Sequence, residues 1–147
     1  MAIKSFSAQI EYRDSLQIDV EVSQDEALGL LKAVKARGCR AHLEKVQAFR
    51  KHVGQSLSLV EIPLSNHHTD LLLREVLAKA KGDFLLPYKE VELCHCRVVP
   101  TQVVDQSILS GCHTPEMVSR ATSASTACGS CRRDVMSLLD YRLKKTS

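Results

Sequence analysis

Near the carboxy-terminal end of the chain, Cys94 and Cys96 flank a single histidine, and Cys128 and Cys131 flank Gly129 and Ser130. The two pairs stand 31 residues apart. In an extended segment residues i and i+2 point to the same side, so Cys94 and Cys96 can chelate one ion while His95 points away. In a turn that leads into a helix, residues i and i+3 converge, and Cys128 and Cys131 can chelate another. Two chelating pairs suit a 2Fe-2S cluster, whose irons each take two thiolates and share two sulfides. Disulfides and zinc are the competing uses of such cysteines.

Zinc held by four thiolates is usually gripped by two CxxC knuckles roughly 15 to 20 residues apart. Here the first pair is separated by one residue and the gap is longer, so zinc fits the spacing less well. A Rieske centre needs a histidine in each pair, and CGSC has none. A thioredoxin-like reading of CGSC leaves CHC unexplained and lacks the preceding strand. Disulfides depend on compartment. The chain has no run of 18 apolar residues, and its start, MAIKSFSAQIEYRD, lacks the apolar stretch and cleavage site of a signal peptide. We therefore expect a cytoplasmic protein with no membrane association, where thiols are kept reduced.

A cluster with four thiolates carries a charge of about −2 when oxidised. Gly129 and Ser130 let backbone N–H groups approach the sulfurs, and the helix expected after Cys131 offers its positive end. Arg97, Arg132 and Arg133 stand beside the ligands in sequence. Charge is distributed accordingly: residues 1–92 hold 13 Lys/Arg against 13 Asp/Glu, and residues 93–147 hold 7 against 4, which gives the whole excess of +3. A nucleic-acid-binding stripe would be larger and carry more than the 4% aromatic residues found here, so no nucleic acid is expected.

The rest of the 147-residue chain must supply the frame. Phe6, Ala8, Ile10 and Tyr12 alternate with polar residues, as do Leu16, Ile18, Val20 and Val22 after the turn-like RDS, which predicts a β-hairpin. SQDEALGLLKAVKARG predicts a helix capped by Ser23, with Ala27, Leu30, Leu31 and Val34 inward and Gly38 at its end. A second helix carries Leu43, Val46, Phe49 and Val53. SLSLVEIPL alternates as a strand ended by Pro63. SNHHTDLLLREVLAKAKG predicts a third helix with Ser65, Asn66 or Thr69 as cap. The predicted order is β-β-α-α-β-α, a small α+β domain over residues 1–86.

Gly82 and Pro87 mark a boundary, and beyond Leu93 strand-like alternation stops. One helix starts at Pro100 and carries Val103, Val104 and Ile108. A second is capped by Thr114 with Pro115 in its first turn. A third runs through Val135, Leu138, Leu139 and Leu143. Residues 91–147 are thus expected to form an all-α helix-turn-helix domain, making the whole chain α+β.

The stretch LCHCRVVPTQVVDQSILSGCHTPEMVSRATSASTACGSC resembles the bacterioferritin-associated ferredoxin-type 2Fe-2S domain, whose pattern is CxC, a spacer slightly over 30 residues, then CxxC. The resemblance covers roughly residues 91–143. It implies a small helix-turn-helix fold holding a 2Fe-2S cluster near the surface, with Cys94, Cys96, Cys128 and Cys131 as ligands. This chain departs from the family in having ASTAC, with Ala124 and Ala127, where glycines often precede CxxC.

The other candidate residues have plainer readings. Cys112 is expected to be a small buried thiol and not a fifth ligand. Cys39 has no partner that sequence can identify, and His67 and His68, for which metal binding is the alternative use, read as polar residues opening a helix. No nucleophile elbow, phosphate loop or HExxH is present, so no enzyme is expected. The expected function is electron transfer to a redox or iron-handling protein partner chosen by the amino-terminal domain. The alternatives are a cluster-assembly or iron-handling accessory, and a zinc-binding interaction module.

Overall fold

The computed structural model describes residues 2–11, 13–22, 29–60, 65–82, 84–85, 92–94, 98–124 and 131–143. The chain divides into two units, Met1–Phe84 and Leu85–Ser147.

In the first unit, β1 (Ala2–Ile10) and β2 (Asp14–Val22) form the antiparallel hairpin expected from their alternation, with Phe6 opposite Ile18 and Ala8 opposite Leu16. Ala8, Ile10, Leu16, Ile18 and Val20 are buried on one face. The turn comes two residues earlier than RDS suggests. Arg13 N–H donates to Ile10 C=O, and Asp14 is already the first residue of β2, opposite Ile10 and buried.

The helix predicted around Leu30 is instead a third strand, β3 (Leu30–Arg37), antiparallel to β2 in the order β1-β2-β3. The cause of the misreading is a β-bulge. Val20 pairs with Leu31 and Asp19 with Ala33, so Lys32 is an extra residue. The bulge puts the two buried side chains of β3, Leu31 and Val34, three positions apart, which mimics the spacing of a helix face. The residues proposed to start that helix, 23–28, lie outside the described residues.

The predicted strand over SLSLVEIPL is also corrected. Its described part is a 3-10 turn, Leu57–Leu59, with Leu57 and Val60 buried and Leu59 exposed. Strand pairing occurs slightly earlier and only briefly. Gly54 N–H donates to Leu31 C=O, Leu31 N–H to Gln55 C=O, and Leu57 N–H to Gly29 C=O, which covers the free edge of β3. Glu61–Leu64 lie outside the described residues.

Two helices close the unit. The first, α1 (Arg40–Phe49), buries His42, Val46 and Phe49 at helical spacing and gives way to a 3-10 turn before Val53. The second, α2 (His68–Lys81), packs on β1 and β2 and is buried from Thr69 to Val76 and Leu77. Its cap is His67, whose Nδ1 accepts from Thr69 N–H at 3.2 Å, in place of the three caps suggested by sequence. Leu71, Leu72, Leu73, Val76 and Leu77 are buried on this helix.

Among its described residues the second unit has three helices, as predicted: α3 (Thr101–Leu109), α4 (Pro115–Thr122) and α5 (Arg132–Leu143). Thr114 Oγ1 accepts from Met117 N–H at 3.2 Å and Pro115 occupies the first turn, as the sequence pattern requires. The unit is not purely helical. A short antiparallel ribbon joins β4 (Glu92–Cys94) to β5 (Val99–Pro100), with Cys94 opposite Val99. Buried Leu93 and Val99 anchor the ribbon, whereas Cys and Arg residues conceal this pattern in the sequence.

Candidate metal centre

The ribbon and α5 place the ends of the cysteine pattern. Cys94 is the last residue of β4, and β4 and β5 pack on α3. Between Cys94 and Val99 the chain must reverse, and Val98 does so at φ +52°, a region that a β-branched residue enters only under strain. Cys96 and Cys128 lie outside the described residues. For Cys94 the strand position is defined.

Cys131 stands at the start of α5. Its carbonyl accepts the first helical hydrogen bond, from Val135 N–H at 3.0 Å, so Cys131 is the N-cap residue. It is buried, at 5% exposure. A sulfur at this position meets the positive end of the helix dipole, which favours the thiolate that a metal requires. The helix is held in place from two sides. Asp105 on α3 accepts from Arg142 Nε at 2.8 Å and from its second terminal nitrogen at 2.7 Å, both groups being buried. At the other end, Arg132 donates to Glu116 of α4 at 2.8 Å.

That last contact changes the reading of the neighbouring arginines. Arg132 directs its guanidinium to Glu116, whose own backbone amide and Arg132 together hold its carboxyl below the usual range. Arg133 is exposed, and Arg97 lies outside the described residues.

Residues 93–141 match the BFD-like [2Fe-2S] binding domain. No curated protein and no solved structure matches the chain. The BFD-like domain thus occupies the second unit, and the cofactor it binds is a 2Fe-2S cluster. The described part of the domain fits that group. It offers a buried sulfur at the positive end of a helix and a second cysteine on a strand of the same unit. None of the cysteines with described side chains, Cys39, Cys112 and Cys131, is in a disulfide.

Cys112 sits in the turn between α3 and α4, half-buried, with its N–H donating to Ser107 C=O. It is less enclosed than the buried thiol expected. Ala124, noted as a departure from the family pattern, is fully buried after Ser123, which takes the left-handed turn at φ +69°. The conformational freedom that a glycine would supply is used one residue earlier, at Ser123.

In the first unit the fold gathers Asp14, Cys39 and His68, which are 25 or more residues apart along the chain. Sequence reasoning missed this group because no two members share a motif. Among the described residues no helix is long and apolar enough to cross a membrane.

Proposed function

We propose that the protein is a one-electron carrier in which Cys94, Cys96, Cys128 and Cys131 hold the 2Fe-2S cluster of the BFD-like domain. The observation that carries this reading is the match over residues 93–141, a span that includes all four cysteines. When bound, such a cluster supplies one-electron redox chemistry at a potential set by its charge, hydrogen bonds and exposure. The polypeptide's part is to hold thiolates and tune that potential. Cys131 does both through its place at the start of α5. The first unit carries no motif for flavin, haem or dinucleotide, so its role in this reading is to select the protein partner.

Anaerobic purification followed by absorption and EPR spectra before and after reduction tests the proposal. The expected result is two irons and two acid-labile sulfides per chain, a visible spectrum that bleaches reversibly, and a rhombic EPR signal on reduction. A colourless protein with zinc and no sulfide overturns it. Irreversible loss on reduction, with transfer of iron and sulfide to an apo-acceptor, replaces the carrier with a cluster-assembly accessory.

A further inference from the structure

Three elements of the first unit bring their ends to one place. Asp14 opens β2, Cys39 is the N-cap of α1, and His68 opens α2. Each offers one metal-ligating atom, and these atoms all lie within 4.8 Å of one another. His68 Nε2 is 3.0 Å from Asp14 Oδ2 and 3.4 Å from Cys39 Sγ.

The grouping is not a cysteine–histidine–aspartate relay. Such a relay uses the two ring nitrogens for different partners, one for the nucleophile and one for the carboxylate. Here the sulfur and the carboxylate face the same nitrogen. One nitrogen has one proton or one lone pair, so it cannot serve both at once. A cation among the three atoms serves all of them.

Asp14 is prepared for that cation. Its side chain is fully buried, and Oδ1 is fixed by the N–H of Cys39 at 2.8 Å. Oδ2 is also buried and accepts no hydrogen bond among the described residues, although His68 Nε2 and, at 3.6 Å, the half-exposed Arg13 Nε stand near it. Gly38 keeps the space open. At its φ of +150° a side chain is strained, and a Cβ there would run into Asp14 Oδ1.

The neighbouring histidines already have other work. Buried His42 directs Nε2 to Ser15 C=O at 2.9 Å, so that nitrogen carries the proton, and Nδ1 accepts from Thr69 Oγ1 at 2.9 Å. His67 uses Nδ1 as the cap of α2.

We propose that Asp14, Cys39 and His68 form a mononuclear site for a divalent ion of the zinc class, with three protein ligands and an open fourth position. Metal–ligand distances of about 2.0 Å to nitrogen and oxygen and about 2.3 Å to sulfur give tetrahedral edges of about 3.3 Å for N···O and about 3.5 Å for N···S. The two His68 separations found, 3.0 and 3.4 Å, require small outward movements, and the Asp14 and Cys39 atoms, within 4.8 Å of each other, settle to about 3.5 Å on the ion. Carboxylate, thiolate and neutral imidazole balance a charge of +2, and the Cys39 thiol proton leaves to solvent as the metal–sulfur bond forms. Cys39 is exposed and His68 half-buried, which gives an ion access.

The test uses the full chain with its cluster intact, washed with a mild chelator and titrated with Zn²⁺ while zinc, iron and sulfide are counted. One zinc per chain beyond the cluster iron, with iron and sulfide unchanged, is expected. Asp14→Asn keeps an acceptor for the Cys39 N–H and removes the anionic ligand; Cys39→Ser alters an exposed side chain. Each should weaken zinc binding by about 100-fold or more, since losing even an outer partner of a metal ligand costs about 10- to 100-fold. Co²⁺ difference spectra supply a second readout, a thiolate-to-cobalt absorption band that Cys39→Ser abolishes. Should Asp14→Asn fail to fold, Cys39→Ser decides alone. Absence of stoichiometric zinc in the wild type, or equal uptake by a folded Cys39→Ser chain, overturns the site.

Discussion

Cys131 has two roles that substitution can separate. As N-cap of α5 it needs only a residue that tolerates the capping conformation, and serine is among the best residues for that position. As a ligand it needs a thiolate. Cys131→Ser should therefore leave far-UV circular dichroism unchanged and remove most of the visible absorption, whereas Cys112→Ser, in the half-exposed turn between α3 and α4, should keep the colour. Equal absorption in the two variants would move Cys131 out of the ligand set. The four cysteines proposed as ligands could be named from the sequence because their candidate chemistry is written in local spacing, CxC and CxxC, which the chain keeps in any fold. Asp14, Cys39 and His68 were not, because their meeting depends on where β2, α1 and α2 end. A buried aspartate read as part of a turn, and a histidine read as a helix-opening residue, give no linear sign of each other.

At the scale of elements, a buried ion pair sets the geometry of the second unit. Asp105 and Arg142 join α3 to α5 by two charge-assisted hydrogen bonds. Asp105→Ala removes the carboxylate that accepts both bonds from a buried guanidinium, so it should destabilise the unit by about 3–5 kcal/mol in urea unfolding followed by visible absorbance. A cost below about 1 kcal/mol would mean that Arg142 finds water there. The sheet of the first unit has a weaker, titratable tie. Asp19 in β2 accepts from Ser5 Oγ of β1 at 2.7 Å and from Gln17 Nε2 at 3.1 Å, and pairs with Lys35 of β3 at 3.5 Å. These partners, Ser5 foremost, favour the ionised form and lower its pKa. The stabilisation is complete above the unfolded value near pH 4 and is lost as pH falls through the lower native value. Asp19→Asn should therefore reduce stability at pH 7, by less than about 1 kcal/mol for so accessible a network, and make no difference in strong acid. Urea midpoints at the two pH values check the sign. The same sheet explains the largest error in reading the sequence. Helices α1 to α5 were legible from apolar spacing and from Thr114–Pro115, but the bulge at Lys32 gave β3 a three-residue apolar interval and turned a strand into an apparent helix.

At the scale of the molecule, each unit has a core of its own. Leu72 in α2 of the first and Ile108 in α3 of the second both have no exposed surface. Truncating either to alanine removes buried methylene groups and leaves a cavity that typically costs about 2–5 kcal/mol. Which residues share that cost depends on how far cooperativity extends along the chain. With a separate core in each unit, Leu72→Ala should accelerate amide exchange across β1, β2 and α2 and leave the denaturant midpoint for loss of cluster absorbance unchanged. Ile108→Ala should lower that midpoint and leave amide protection in the first unit intact. A single transition in which either substitution shifts both signals equally would mean that the two cores unfold as one. The proposed zinc site gives the same comparison a ligand. Zinc bound by Asp14, Cys39 and His68 stabilises only the cooperative unit that contains them. Added zinc should therefore restore the amide protection lost in Leu72→Ala and do nothing for Ile108→Ala.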